Sequence, residues 1–399
     1  MVWVTAPVQL PSLKHFLMRN RYFIVIVFSL LFIAFGCSQK PATAKMDFEK
    51  YDPVSTLKVP QHITTKAKFP FIDVHNHQWD GPGQDIKKLY TEMDSLQMQV
   101  MINLSGRGYK KSNGRNGRFD IEDQAYMVKY MQAAANVDER RLKFFTNISF
   151  VGFGETGWTE KTVKSLESDV KAGACGLKIY KDLGMEFKDE NEKFITVDDA
   201  RLDAVWEKCG ELKIPVLIHS ADPKSFWDTE DEHNERWLEI ATHPDRKKEN
   251  TDPAPWDSLI VQQHRMFKKH PNTNFIAAHF GWYANDLAIL GKLLDEMPNV
   301  YTEFGAVIAE LGRQPKAAKA FFEKYQDRIL FGKDSWVPDE YKTYFRVLET
   351  EDEYFPYHKK YHAFWAMYGM GLPDDILKKV YYKNALNLIP GIDKTMFPE

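Results

Sequence analysis

Phe71-Ile72-Asp73-Val74-His75-Asn76-His77 is the stretch on which the reading of this 399-residue chain turns. It reads as a short buried strand that ends in two histidines separated by one residue. Residues i and i+2 of a strand face the same side, so His75 and His77 would project together. Two converging imidazoles are half of a metal site. A His-x-His pair is a weak signal alone. Its weight depends on where the other candidate ligands fall.

Outward from this strand, beginning at Phe69, short apolar runs alternate with longer amphipathic ones. The strand candidates are Phe71–His77, Gln99–Ser105, Lys143–Phe150, Gly176–Tyr180, Pro215–His219, Asn274–His279, Val300–Phe304 and Ile329–Gly332. Helical patterns separate them, among them Lys164–Ala172, Val197–Leu212 and Asp286–Met297. Strand–helix alternation implies a parallel sheet with right-handed crossovers. Eight such units predict an α/β fold, a closed (β/α)8 TIM barrel forming a single domain over residues 69–392. The competing architecture, an open doubly wound sheet, would carry a Gly-rich phosphate loop after its first strand. His75-Asn76-His77-Gln78 is no such loop.

Two regions exceed a simple barrel. Lys224–Ser258, after the fifth strand, is charged and aromatic and long enough to lid a site. Pro338–Pro373, after the eighth, reads as mainly helical. A last helix over Asp374–Leu388 would close the barrel.

Composition excludes some functions. Hydrophobic residues make up 44% of the chain and the net charge is -3. That balance supports a sizeable core and lacks the basic footprint of a nucleic-acid binder. Three cysteines, Cys37, Cys175 and Cys209, are too few for a disulfide framework. Cys175 and Cys209 read as buried free thiols.

The amino terminus reads as a targeting segment. Arg19 and Arg21 precede an apolar run, Tyr22 to Phe35, that ends at Gly36-Cys37. A basic start, a short apolar run and a small residue before the cut form a secretory signal, and the run is short for a membrane span. A cysteine directly after Ala34-Phe35-Gly36 resembles a bacterial lipoprotein signal, although Ala34 and Phe35 depart from its usual Leu and small residue. Residues 1–36 would be removed, with Met18 a candidate start, and Cys37 would carry lipid. Residues 37–68 would tether the domain to the membrane. The expectation is an exported bacterial lipoprotein of the cell envelope, periplasm-facing or outer-membrane, with Ser38 favouring the latter. Nothing in the sequence fixes an oligomeric state.

Chemistry in such a barrel sits at the carboxyl ends of the strands. Strand one ends in His75 and His77, strand five in His219, strand six in His279 and strand eight in Asp334; strand four carries Lys178. A carboxylate beside water that is activated by a divalent cation is a natural base. Neutral imidazoles suit zinc, manganese or iron.

This order and spacing resemble the amidohydrolase superfamily. The flanks His219-Ser220-Ala221-Asp222-Pro223 and Ala278-His279-Phe280-Gly281 are similar to its amidohydrolase-related, family-2 branch. So is the closing Tyr382-Lys383-Asn384-Ala385-Leu386-Asn387-Leu388. The resemblance implies a divalent metal, zinc foremost with manganese or iron as alternatives, as one or two ions. His75, His77, His219 and Asp334 would bind it. His279, with Lys178, would join a binuclear site, or His279 would polarise the substrate carbonyl at a single ion. Asp334 would be the proton-transfer base. Two residues depart from the family pattern: Lys333, where Thr or Ser is usual, and Glu303 on strand seven. By strand alternation Lys333 should point away from Asp334. Glu303 could contact substrate or pair with a base.

Lys178 admits three readings: a carboxylated bridge between two metals, a substrate-anion ligand, or a salt-bridge partner. Arg107, Lys110, Lys111, Arg115 and Arg118 crowd the loop after strand two and either receive an anion or form a solvated surface. Trp79, Tyr180, Trp282 and Trp336 would wall a substrate pocket or pack the rim. His62, His233, His243, His264, His270, His358 and His362 read as surface or loop residues. The leading function is a metal-dependent hydrolase opening a lactone, ester or amide of a small anionic substrate. Tyr180, Lys178, Arg107, Trp282 and Trp336 would contact that substrate. The alternatives are a metal-dependent non-oxidative decarboxylase and a non-catalytic binding lipoprotein.

Overall fold

In this computed structural model the described residues are 46–47, 50–111, 119–250, 254–360 and 362–398. The chain divides into two compact units, Met1–Val54 and Ser55–Glu399. In the first, Lys50 pairs with Asp47 at 2.6 Å. The signal segment with Cys37 lies outside the described residues, as do Arg115 and Arg118. No described helix is long and apolar enough to cross a membrane.

The second unit is built on eight parallel strands: β1 (Phe71–His77), β2 (Met98–Asn103), β3 (Leu142–Phe144), β4 (Leu177–Ile179), β5 (Val216–Ile218), β6 (Phe275–Ala277), β7 (Val300–Glu303) and β8 (Ile329–Leu330). Each pairs with its sequence neighbour within β1–β2–β3 and within β4 to β8. A parallel bridge between Thr146 and Leu177 joins β3 to β4. The other seam closes because strand eight is split. Ile329–Leu330 pairs with β7, and its continuation Asp334–Ser335 pairs with Asn76 and His77 of β1. The result is the expected barrel, with β1 buried from Phe71 to Asn76.

The split falls at Phe331-Gly332-Lys333. A Cβ on Gly332 would meet Glu303 Oε2 at 2.2 Å and the His75 Cβ at 2.9 Å. Only glycine lets strand eight pass this close to His75. Phe71 seals the same seam. It is fully buried, with Phe331 at 4.8 Å, Phe345 at 5.4 Å and Tyr381 at 5.9 Å between ring centres.

Helices wrap the barrel: α1 (Ile86–Leu96), α2 (Gln124–Asp138), α3 (Trp158–Lys171), α4 (Asp203–Glu211), α5 (Trp256–Lys269), α6 (Leu287–Glu296), α7 (Pro315–Tyr325), α8 (Pro338–Glu349) and α9 (Asp374–Lys378). Asp85, Asp123 and Asp286 cap α1, α2 and α6 by accepting from a backbone N–H in the first turn. The chain continues from α9 through a π-helical turn, Lys379–Lys383, into Asn384–Leu388. Val380 in that turn accepts from the Phe331 N–H at 3.1 Å, so this segment does close the barrel.

Two expectations need correction. Lys143–Phe150 is not one long strand. After Phe144 and the Thr146 bridge the chain leaves the barrel, because the Asn147 amide bonds the carbonyls of Leu104 and Lys178. Pro338–Pro373 is helical only to Glu349. Phe355–Pro356 then pairs antiparallel with Ala366–Met367. The helix ends where Thr350 turns extended (φ -109°, ψ 166°), and further on Gly371 has φ +55° and a Cβ on Gly369 would meet the Thr350 carbonyl. His270 and His362 lie in loops, one of the two places expected for them, and are buried there. His270 lies 3.1 Å from Asp203, and His362 lies 3.6 Å from Glu239.

The Lys224–Ser258 insertion folds as short helices, Lys224–Phe226, Trp237–Thr242 and Pro244–Arg246, before α5 begins at Trp256. Arg236 fastens it. The guanidinium bonds Glu239 at 2.6 Å and Glu310, in the helix Ile308–Arg313 after β7. Trp365 lies against Arg236 and Arg313, 5.4 and 3.9 Å from its ring centre.

Candidate metal centre and active site

The carboxyl ends of β1, β4, β5, β6 and β8 converge as expected. His75 Nε2 lies 3.3 Å from Asp334 Oδ1, and His77 Nε2 lies 3.8 Å from the same oxygen. His279 Nε2 lies 3.3 Å from His219 Nδ1. The His75 and His279 rings are 5.0 Å apart. His75, His77 and Asp334 form one group able to hold a metal ion, and His219 adjoins it through His279.

Local backbone explains how these side chains are aimed. Several residues that end a strand take left-handed conformations. Ala221 has φ +63°, Ala306 +58° and Asp334 +85°. His279, Phe280, Gly281 and Trp282 form a continuous left-handed turn with φ between +56° and +61°. Non-glycine residues adopt such angles at a cost, and they collect at functional sites. This turn swings both the His279 imidazole and the Trp282 indole toward the barrel mouth. The two rings lie 4.6 Å apart, and Trp282 lies 5.6 Å from His219.

Three inward imidazoles are gripped by their other nitrogen. His279 Nδ1 donates to the Gly305 carbonyl at 2.7 Å. A carbonyl only accepts, so Nδ1 carries the proton and Nε2 keeps a lone pair. His75 Nδ1 lies 2.8 Å from Glu303 Oε1, and the carboxylate sets the same tautomer. His77 Nδ1 lies 2.7 Å from Ser105 Oγ, which also accepts from the Tyr180 hydroxyl at 3.2 Å. The lone pair on His75 Nε2 thus faces the Asp334 carboxylate, and His77 Nε2 lies toward the same oxygen. Ligands about 2.0–2.2 Å from one ion stand roughly 3–4 Å apart, and the distances from Asp334 to the two imidazoles fall there. The donor set therefore fits a divalent ion.

Electrostatics agree. Burial holds His77 and His219 well below the ordinary imidazole range and lowers His279. Burial is the largest influence on His75 and opposes its charge, but Glu303 and Asp334 together raise this histidine. Burial would raise Asp334, yet hydrogen bonding and charge from His75 hold its carboxyl well below the usual range. Asp334 is the solvent-facing member, with its side chain 36% exposed, whereas the His75 side chain is fully buried.

The structure also places the remaining expected residues. Lys178 is buried, with Nζ 3.5 Å from His75 Nε2, and burial lowers its amine to about 8. Among the described residues no carboxylate lies within 4.0 Å of it. Tyr180 stands over the same lysine and 5.7 Å from His77. Trp79, half exposed, stacks on His77 at 5.0 Å. Two residues are not brought to the histidines. The Arg107 guanidinium is committed to Asp169 at 2.8 Å and to the Glu122 carbonyl. Trp336 bonds Glu92 and packs on Tyr341 at the rim. Glu303 takes the role of pairing with a base. Besides His75 it accepts from the N–H groups of His279 at 2.7 Å and Gly305 at 2.6 Å. Lys333 points away from Asp334, as expected, into an ion pair with Glu340.

Sequence reasoning missed Ser105 and the Gly305 carbonyl, the anchors of His77 and His279. It also missed Asp73, which accepts from the Tyr341 hydroxyl at 2.6 Å and from the His75 N–H at 3.0 Å beneath the site. A strand-one Asp two residues before the first histidine was the available signal.

A parallel α/β barrel with a cluster of imidazoles and a carboxylate at the carboxyl ends of its strands defines a class of metal-dependent enzyme. The chain belongs to the amidohydrolase family, whose model matches residues 72–390. It is therefore an enzyme of this metal-dependent family, and the alternative of a non-catalytic binding lipoprotein is set aside. The chain is similar in structure to 2,6-dihydroxybenzoate decarboxylase from Rhizobium, with 13% identity, 80% of this chain and 98% of that one covered, and a TM-score of 0.46. It is also similar to a dihydroxybenzoic acid decarboxylase from Polaromonas with bound manganese and 2-nitroresorcinol (14% identity, 80% and 96% covered, TM-score 0.48). A third is 4-oxalomesaconate hydratase from Rhodopseudomonas palustris (12% identity, 80% and 95% covered, TM-score 0.45). No curated protein sequence matches this chain.

Proposed function

We propose that the protein is a metal-dependent hydrolase that opens a lactone, ester or amide bond of a small substrate. One observation carries the reading. The Asp334 carboxylate stands 3.3 and 3.8 Å from two imidazole nitrogens whose partner nitrogens are anchored elsewhere. His75, His77 and Asp334 would hold a divalent ion, with His219 and His279 beside them. Zinc is the first candidate, and manganese or iron are alternatives. Such an ion supplies the positive charge that polarises a carbonyl and makes water acidic enough to attack near neutral pH. Asp334, ionised and facing the mouth, accepts the proton of the attacking water and returns it to the leaving group. His279, neutral and fixed by Gly305, orients the substrate carbonyl. Tyr180 and Trp282 wall the pocket.

Lys178 favours a second reading, non-oxidative decarboxylation. It is a buried amine with no carboxylate within 4.0 Å among the described residues, placed to receive the carboxylate of a substrate. A lipid anchor at Cys37 after export belongs to the proposal as well. Ser38 supports it only as a sorting signal.

Metal analysis of the purified protein, with His75→Ala beside it, tests the centre. About one or two zinc, manganese or iron ions per chain, lost in the variant, are expected. Asp334→Asn should keep the fold and lose turnover by roughly 10²–10⁴-fold. Full activity in that variant would remove Asp334 as the base. Uptake of labelled oxygen from water, against release of carbon dioxide, decides between the two reactions.

A further inference from the structure

Three of the four inward imidazoles have an anchor on the nitrogen that faces away from the centre: His75 has Glu303, His77 has Ser105 and His279 has the Gly305 carbonyl. His219 is the exception. Its Nδ1 faces His279 Nε2 at 3.3 Å, and its Nε2 is buried with no hydrogen-bond partner among the described residues. Asp222 Oδ1 lies 3.8 Å from that nitrogen, just beyond hydrogen-bond reach.

The chain builds this approach from two strand ends. Ala221, with φ +63°, turns the backbone after His219, and the carboxylate three residues on returns to the ring. The Trp256 indole N–H donates to the Asp222 carbonyl at 2.9 Å and fixes that turn from α5. Lys181, just beyond β4, places its ammonium 2.8 and 2.9 Å from the two oxygens of Asp222. The Asp222 side chain is 7% exposed and that of Lys181 42%, so the pair runs from the rim inward to His219.

A neutral imidazole carries one ring proton. His279 Nδ1 donates to Gly305, so His279 Nε2 holds a lone pair. The His219 proton then has two places. On Nδ1 it is donated to His279, and that nitrogen is closed to a cation. On Nε2 it faces Asp222, and Nδ1 joins His279 Nε2 as two lone pairs 3.3 Å apart, the spacing of two ligands on one ion. A carboxylate only accepts, so Asp222 favours the second form. A small rotation of the ring closes the gap to a hydrogen bond.

We propose that Asp222 is the positioning residue of His219: it accepts the Nε2 proton and thereby turns the Nδ1 lone pair toward a divalent ion, and Lys181 holds Asp222 in that role. The inference rests on reading the centre as a metal site.

The test is zinc affinity by chelator competition. In Asp222→Asn the amide oxygen turns to Lys181, which only donates, and the NH2 is left toward His219. That donor favours a lone pair on Nε2 and a proton on Nδ1, the wrong tautomer. Zinc affinity should fall about 10–100-fold, and at least as far as in Asp222→Ala, which leaves His219 no partner. Adding Lys181→Met to Asp222→Asn frees the amide to present its oxygen to His219 and should restore affinity to within about tenfold of wild type. An ion pair that only braces the fold predicts the opposite order, with Asn milder than Ala and the double variant the worst of the three. That order overturns the proposal, as does an unchanged affinity in Asp222→Asn. If the variants fail to fold, the zinc-loaded wild type decides. The other three rings offer Nε2 to the ion. In long-range proton–nitrogen correlation spectra one ring alone should therefore shift at Nδ1 on zinc addition while its Nε2 keeps the proton. No such ring in a protein that binds zinc overturns the proposal and leaves the centre standing. A protein that binds no zinc loses both.

Discussion

Glu303 governs the centre without facing the substrate. Its two oxygens are spent on His75 and on two backbone N–H groups. Glu303→Gln keeps the shape but places an NH2 where one of these donors must go. Metal affinity should fall roughly 10–100-fold, measured by chelator competition. An unchanged affinity would mean that the His75 tautomer does not depend on this carboxylate. The acid limb gives a second readout. Burial alone would raise the Glu303 carboxyl, but His75 and the surrounding donors hold it at about 2, below its ordinary 4.5. A depressed carboxyl stabilises the fold fully above pH 4.5, and that contribution is lost as pH falls through the folded value. Urea titrations of the metal-free protein should therefore show wild type losing more stability than Glu303→Gln between pH 4.5 and 2. At this scale the sequence placed His75, His77, His219, His279 and Asp334, because a metal needs side chains of few types at strand ends. It left Ser105 and Gly305 invisible. A serine is common anywhere, and a backbone carbonyl has no letter of its own.

Among the elements, strand eight bears the most. It pairs with β7, passes His75 at a glycine, turns at Asp334 and resumes pairing with β1. Lys333 pins this path through Glu340 in the first turn of α8 and through Ser335 at 3.0 Å. The Lys333 side chain is 1% exposed and that of Glu340 18%. Removing one partner of a buried pair strands the other charge, so Lys333→Met or Glu340→Leu alone should cost about 3–5 kcal/mol. The double replacement should recover most of that loss, because a buried pair is often no better than matched apolar groups. Urea denaturation of the four proteins checks the cycle, and single variants as stable as wild type would show that the pair does not pin the strand. Periodicity found all eight strands, since alternating apolar runs are a local property. It overran β3, where one Asn side chain replaces ladder bonds. It also read Pro338–Pro373 as helix, where Gly369 and Gly371 make a close approach that only tertiary structure reveals.

For the molecule as a whole, the barrel packs both of its thiols inside. Cys175 and Cys209 are buried, and burial pushes the first to about 12 and the second upward. Thiolate is the reactive form, so neither should react while the fold is intact. In a Cys37→Ser background, an aromatic disulfide reagent should label no thiol in native buffer and two after unfolding, at the rate of global unfolding. Rapid native labelling of either would show a looser core. Fold class was legible here because one repeated unit accounts for most of the chain. The clamp of Lys181 on Asp222 was not, because it joins the ends of two strands far apart in sequence.

The left-handed turn at His279 to Trp282 bears on heat. Gly281 is at ease there, whereas each of its three neighbours is disfavoured by about 1–2 kcal/mol. What holds the turn is the grip of Gly305 and Glu303 on His279 and the packing of Phe280 on Phe304, Phe321 and Phe322. Warming loosens side-chain grips before it melts a closed barrel. The turn can then relax while the strands remain paired, and His279 and Trp282 swing off target together. Activity should therefore fall on warming before the far-ultraviolet circular dichroism of the barrel does, and coincident loss of the two would show that the turn holds as long as the core.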